Sequence, residues 1–245
     1  MPDEAGSKSN SEAKPSGWLM HQWVVAGIVS SAARFIPVPF VDGYVQSQCR
    51  RYVVRRTLAA HERPELLREL TPYFDDGSGC LAGCVGSIVK VPLKLLLFPI
   101  RKIISIVTSI RGVPLEIVRT VLLGRTLDRY LRNGPVAIND LSAKHMRTAF
   151  DAAFARMDFH VVQAAMADAL SSVGGWKSAA IKCAKSLANG NESAEPQIES
   201  EPKVDDGATN VQQVLDRPET LELFAKFDQR FDEILNGLPT AKLWP

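Results

Sequence analysis

The stretch from Leu81 to Arg125 restricts the possible folds of this 245-residue chain more than any other. Between Ile88 and Val118 almost every residue is apolar. Lys90, Lys94, Arg101 and Thr108 are among the few exceptions, and Arg119 follows directly. At about 100° per residue those five positions fall within roughly 40° of one another on a helical wheel. An ordinary surface helix has the opposite arrangement, a single apolar stripe on a polar cylinder. A narrow cationic stripe on an apolar rod suits two surroundings. One is a membrane interface, where Lys and Arg reach the headgroups while the rest sinks to the acyl boundary. The other is the core of a helix bundle, with its few charges where the helix emerges. A simple span fits less well, because Lys90, Lys94, Arg101 and Lys102 would each cost about 2.5–3.5 kcal/mol at the centre of a membrane helix. Pro92, Pro99 and Pro114 also interrupt the run. The expectation is therefore an in-plane or re-entrant element, or a buried bundle helix.

Net charge is only +2, yet its distribution is uneven. Residues 34–132 carry 16 Lys and Arg against 8 Asp and Glu, whereas residues 192–235 carry 4 against 12. A basic middle is drawn to anionic surfaces, and an acidic tail can screen it within the same molecule.

Helical periodicity dominates the chain, and no stretch alternates convincingly between apolar and polar, so the expected class is all-α: a bundle of Pro-broken apolar helices. Residues 1–16 read as a polar, disordered leader. Residues 17–188 read as the helical domain, a candidate for membrane association. Helices are expected over Trp18–Arg34, from near Pro39 to Ala60, over Pro64–Leu70, over Pro114–Leu131, from a Ser142 N-cap to Ser172, and over Lys177–Leu187. Phe150, Phe154, Met157, Val161 and Ala164 mark the apolar face of the Ser142 helix. Residues 189–210 are rich in Glu, Asp, Ser, Pro and Gly, and read as a flexible acidic linker. Residues 211–245 hold a last amphipathic helix, Arg217–Leu235, with Asp216 and Glu219 spaced as a capping box. Its stripe of Leu221, Phe224, Phe227 and Phe231 should dock on the body of the protein or on a partner.

Pro37 and Pro39 cannot both sit inside a helix, because each removes a donor and biases its predecessor to extended geometry. Ile36-Pro37-Val38-Pro39-Phe40-Val41-Asp42 is therefore an apolar elbow between two helices. It resembles an Ile-Pro-x-Pro-x-x-Asp motif of EcsC-like bacterial proteins and of helical domains that accompany some membrane-linked bacterial GTPases. The likeness covers about 40 residues, from Ala26 to roughly Ala60. It implies a helical, membrane-associated, non-enzymatic domain. Asp42 matches the motif's acid, for which helix capping or pairing with an arginine is the expected role. The Arg density after Gln48 departs from the pattern.

No catalytic constellation emerges. Gly174-Gly175-Trp176-Lys177-Ser178 lacks the glycines a phosphate loop needs, and His61-Glu62 lacks the second histidine of a zinc protease helix. Cys80 and Cys84 share a helical spacing but have no further zinc ligands nearby, and with Cys49 and Cys183 they are expected to be reduced thiols. S-acylation beside the apolar segment is the alternative for that pair. No cofactor or metal is expected. Nucleic acid is not an expected partner, since stacking aromatics are few and no recognition motif appears.

The sequence therefore reads as a non-enzymatic cytoplasmic protein lying peripherally on the inner membrane, with a scaffold or interaction role. Lys90, Lys94, Arg101 and Lys102 would meet anionic lipid, with Arg50, Arg51, Arg55 and Arg56 as a second patch. The alternative is a soluble helical bundle that uses the same apolar residues as core and binds another protein. The sequence names neither a protein partner nor an oligomeric state.

Overall fold

The computed structural model describes residues 16–75, 112–132, 138–190 and 196–238. The described chain is all-helical, as expected. Its helices are α1 (Gly17–Ala32), α2 (Val41–Ala60), the single turn α3 (Thr71–Phe74), α4 (Val113–Arg132), α5 (Asp140–Ala155), α6 (His160–Ser171), α7 (Trp176–Asn189), α8 (Pro202–Leu215) and α9 (Pro218–Gly237). Short 3-10 turns cover Ala33–Phe35 and Pro64–Leu67.

Helix α1 is the axis of the fold. Ser16 caps it by accepting from the Leu19 N–H. From Trp23 to Val29 it is apolar around its whole circumference, and such a stretch is stable only when enclosed on every side. Here α2, α4, α7 and α8 surround it. Trp23, Val24, Ile28 and Val29 are completely buried. Among the described residues, no helix is long and apolar enough to cross a membrane.

The contact between α1 and α4 is close because two glycines allow it. A Cβ on Gly27 would stand 2.9 Å from the Ile117 Cα, and one on Gly124 would stand 2.5 Å from the Trp23 ring. The indole fills the space left by Gly124, and its Nε1 donates to the Thr57 hydroxyl on α2 at 3.0 Å. One side chain thus ties three helices together.

The part of the apolar segment that is described, 112–125, belongs to the bundle core. Val113, Ile117, Val118, Val121, Leu122 and Leu123 of α4 are all buried. The remainder of that segment, including Lys90, Lys94, Arg101, Lys102 and Cys84, lies outside the described residues, as do Cys80 and the leader apart from Ser16.

Three expectations need correction. The linker expected over 189–210 is partly a helix. Helix α8 begins at Pro202 and packs on α1, α6 and α7 through Val204, Ala208, Val211 and Leu215. The single helix expected from Ser142 to Ser172 is two. Asn139, not Ser142, caps α5, and Ser142 is the reciprocal partner in the capping box. The chain then breaks where Asp158 Oδ1 accepts from the His160 N–H at 3.0 Å, a local bond that competes with helical continuation. The break rotates the apolar face, so α6 buries Val162, Met166 and Leu170 and leaves Val161 78% exposed. Finally, the N-cap of α9 is Arg217 with no side-chain cap, so Asp216 and Glu219 form no capping box.

Replacing Gly124 by Ala should force the Trp23 ring from its site and strain its bond to Thr57. The expected loss is about 1–3 kcal/mol, the usual range for overpacking a core, measurable by urea unfolding. Gly43, whose Cβ would meet nothing within 4 Å, is the control that should tolerate Ala with little change.

Candidate functional site

The elbow joins α1 to α2 at one end of the bundle. Ile36, at its base, is buried and donates its N–H to the Ala33 carbonyl at 3.0 Å. The next four residues, Pro37-Val38-Pro39-Phe40, are all exposed. Val38 is 48% exposed and Phe40 60%. Phe40 is also the N-cap of α2, with φ 68° and ψ −13°, and its carbonyl accepts from the Tyr44 N–H at 3.1 Å. A bulky residue in the left-handed region is strained by about 1–3 kcal/mol. Asp42 is therefore not the cap but sits in the first turn of α2, where its carboxylate faces the positive end of the helix dipole.

Two cations flank the elbow. Arg34 lies in the preceding 3-10 turn. Lys177, in the first turn of α7, holds its Nζ 3.8 Å from the centroid of the Phe35 ring. Gly112, the first described residue of the apolar segment, lies directly against the Arg34 guanidinium. The segment is thereby fixed beside the elbow at this residue.

The second expected patch does not hold together. Arg50 is only 8% exposed, and its Nε donates to the Phe74 carbonyl at 2.9 Å, which satisfies the end of the α3 turn rather than facing outward. Arg56 lies over the Tyr52 and Trp18 rings, 5.0 and 5.9 Å from their centroids. Arg51 and Arg55 are half-buried on α2. At 1.5 Å per residue this row begins about 15 Å along α2 from Phe40, so it does not extend the elbow. Arg119, a member of the expected cationic stripe, instead donates to Asp151 at 2.5 Å, and Arg147 Nε holds the other oxygen of that carboxylate at 2.6 Å.

The phenylalanine stripe of α9 closes on its own chain. Phe224, Phe227 and Phe231 are buried, while Leu221 remains 40% exposed and takes no part in the docking. Phe227 meets Phe150 of α5 edge-on at 5.5 Å between centroids. A cationic seam on α4 secures the same helix. Arg125 donates to Asp228 at 2.7 Å, and Arg129 grips both oxygens of Asp232 at 2.7 and 2.6 Å. The two guanidiniums also lie over Phe224 and Phe231 at 5.8 and 5.9 Å.

Sequence reasoning missed the histidine pairs. His61, at the end of α2, contacts the buried Asp128 at 2.9 Å, and Arg132 donates to that carboxylate's other oxygen at 2.5 Å. His21 of α1 bridges Asp205 and Gln212 of α8 at 3.1 and 3.0 Å. The partners lie 67 and 184 residues away in the first oxygen contact of each, beyond any local motif. Each pair joins two helices. Cys49 and Cys183 are free, buried thiols, and burial pushes both pKa values up. Among the described residues, no group of three or more His, Cys, Asp or Glu could hold a metal ion.

No family model, curated protein or solved structure matches the chain. The likeness to EcsC-like proteins rests on the elbow residues alone.

The buried seam carries a prediction. Asp228→Ala should destabilise the protein by about 3–5 kcal/mol, because it removes the carboxylate that pairs with the enclosed Arg125 charge. Asp232 is about half exposed, and its replacement by Ala should cost about 1 kcal/mol or less. Chemical denaturation of the two variants checks the contrast.

Proposed function

We propose that this chain is a non-enzymatic helical protein that associates peripherally with an anionic membrane surface, at the cytoplasmic face, in a scaffold or interaction role. One observation carries the reading: the four-residue apolar tip Pro37–Phe40 stands exposed at the end of the bundle where Gly112 of the basic apolar segment is held against Arg34. Monomeric proteins expose single apolar side chains routinely, but an apolar run with strained backbone and flanking cations suits an interface of headgroups over acyl chains. Lys90, Lys94, Arg101 and Lys102 would supply further attraction from the segment itself, each charge near the surface contributing about 1 kcal/mol.

In this reading the Arg50 to Arg56 row has a structural role, packing and pairing within the bundle. The acidic helices α8 and α9 contribute much of the counter-charge that keeps the net charge of the molecule small.

Sedimentation with vesicles tests the proposal. The protein should pellet with anionic vesicles at low salt, less so at high salt, and weakly with neutral ones. Reversing charge at Lys90, Lys94 and Arg101 together should reduce binding by two orders of magnitude or more if each contributes about 1 kcal/mol. Protein that stays in the supernatant with anionic vesicles overturns the membrane reading and leaves a soluble bundle that binds another protein.

A further inference from the structure

The elbow combines properties that folding alone does not explain. Its tip is exposed, yet its conformation is fixed from both sides. Ile36 is buried at one end, and the Phe40 carbonyl starts α2 at the other. Pro37 and Pro39 each lock one backbone angle between those anchors. The position that adopts the left-handed conformation, with φ 68°, is occupied by phenylalanine. Gly and Asn reach that region with far less strain. Nothing in the fold repays the strain through burial, because the Phe40 side chain is among the most exposed apolar groups described.

We infer that Val38 and Phe40 form a preorganised hydrophobic wedge that enters the headgroup–acyl boundary of a membrane, and that it responds to lipid packing. The inference rests on the membrane reading above and deepens it, assigning insertion to these two side chains. Lys177, over the Phe35 ring beside the elbow, is the cation placed to meet anionic headgroups while the Phe40 ring goes deeper. A preformed wedge loses little conformational freedom when it inserts. Being only four residues long, it reaches no further than the boundary region. Shallow insertion of a rigid apolar group is favoured where headgroups are spaced apart, as on strongly curved or loosely packed bilayers.

The decisive variant is Phe40→Asn, which relieves the backbone and removes the ring. It should raise Tm by about 2–4 °C for each kcal/mol of strain released, while weakening binding to anionic vesicles by roughly tenfold to a hundredfold, the equivalent of one phenylalanine no longer buried. Val38→Ser should weaken binding without raising Tm. Wild-type protein should bind small, highly curved vesicles several-fold more tightly than large ones of the same lipid composition, and Phe40→Asn should lose that preference. A fall in Tm for Phe40→Asn would show that the ring supports the fold, and would overturn the inference. So would unchanged binding by Phe40→Asn to vesicles that the wild type does bind, which would leave the membrane reading standing on its charges. Absence of any vesicle binding by the wild type would remove both.

Discussion

The close approach of α1 and α4 is the constraint from which the other packing follows. Gly27 lets the Ile117 backbone come against α1, and Gly124 makes room for the Trp23 indole. With the helices at that distance, Ser30 can donate to Glu116 at 2.8 Å, and Tyr73 of α3 can donate to the Leu123 carbonyl at 2.9 Å. The same placement turns Arg119, Arg125 and Arg129 away from α1, toward α5 and α9. Thus α4 has two distinct sides. One is apolar and pressed against α1, and the other is cationic and pairs with Asp151, Asp228 and Asp232. If the glycine side were crowded, the cationic side would no longer be aligned with its acids.

This two-sidedness explains why the α4 part of the apolar segment was ambiguous in sequence. Leu122 and Arg125 are three residues apart, and a wheel assigns them to sides of a helix but not to surroundings. Lipid and protein core are equally apolar, and headgroups and aspartates are equally anionic. The acids that settle the matter for Arg125 and Arg129 lie 103 residues away. Arg50 illustrates the same limit at shorter range. Its inward turn depends on the Phe74 carbonyl, a backbone acceptor that no pattern of side chains announces.

Helix existence was largely legible, and composition misled where it overrode spacing. Helices α1, α2, α4, α7 and α9 begin and end within a few residues of where periodicity and prolines place them. Helix α8 was hidden because Pro202, Asp205, Asp206 and Gly207 resemble a linker, although Val204, Ala208, Val211 and Leu215 recur at the three-to-four spacing of a buried stripe. Pro202 is compatible with that helix because at its first position a proline lacks only an N–H that would find no helical partner. The break before α6 was missed for the converse reason. The apolar spacing runs on through Val161, but a single Asx-type bond at Asp158 resets the phase.

The elbow was legible as a turn from its two prolines, but the left-handed Phe40 was not, since nothing in the residue type favours that conformation. Its position gives the elbow a relation to the basic segment that does not depend on how the segment folds. Gly112 is held against Arg34, and Arg101 and Lys102 precede it by only ten or eleven residues. A fully extended chain covers at most about 3.6 Å per residue, so both cations remain within about 40 Å of Gly112 in any conformation. Lys90 and Lys94 are on a much longer tether. An apolar tip and two cations confined to one neighbourhood reinforce each other at a surface, because engagement of either raises the effective concentration of the other there. On the membrane reading, insertion and headgroup attraction are therefore coupled by chain connectivity through the Gly112–Arg34 contact, and loosening that contact would weaken their cooperation without altering either part.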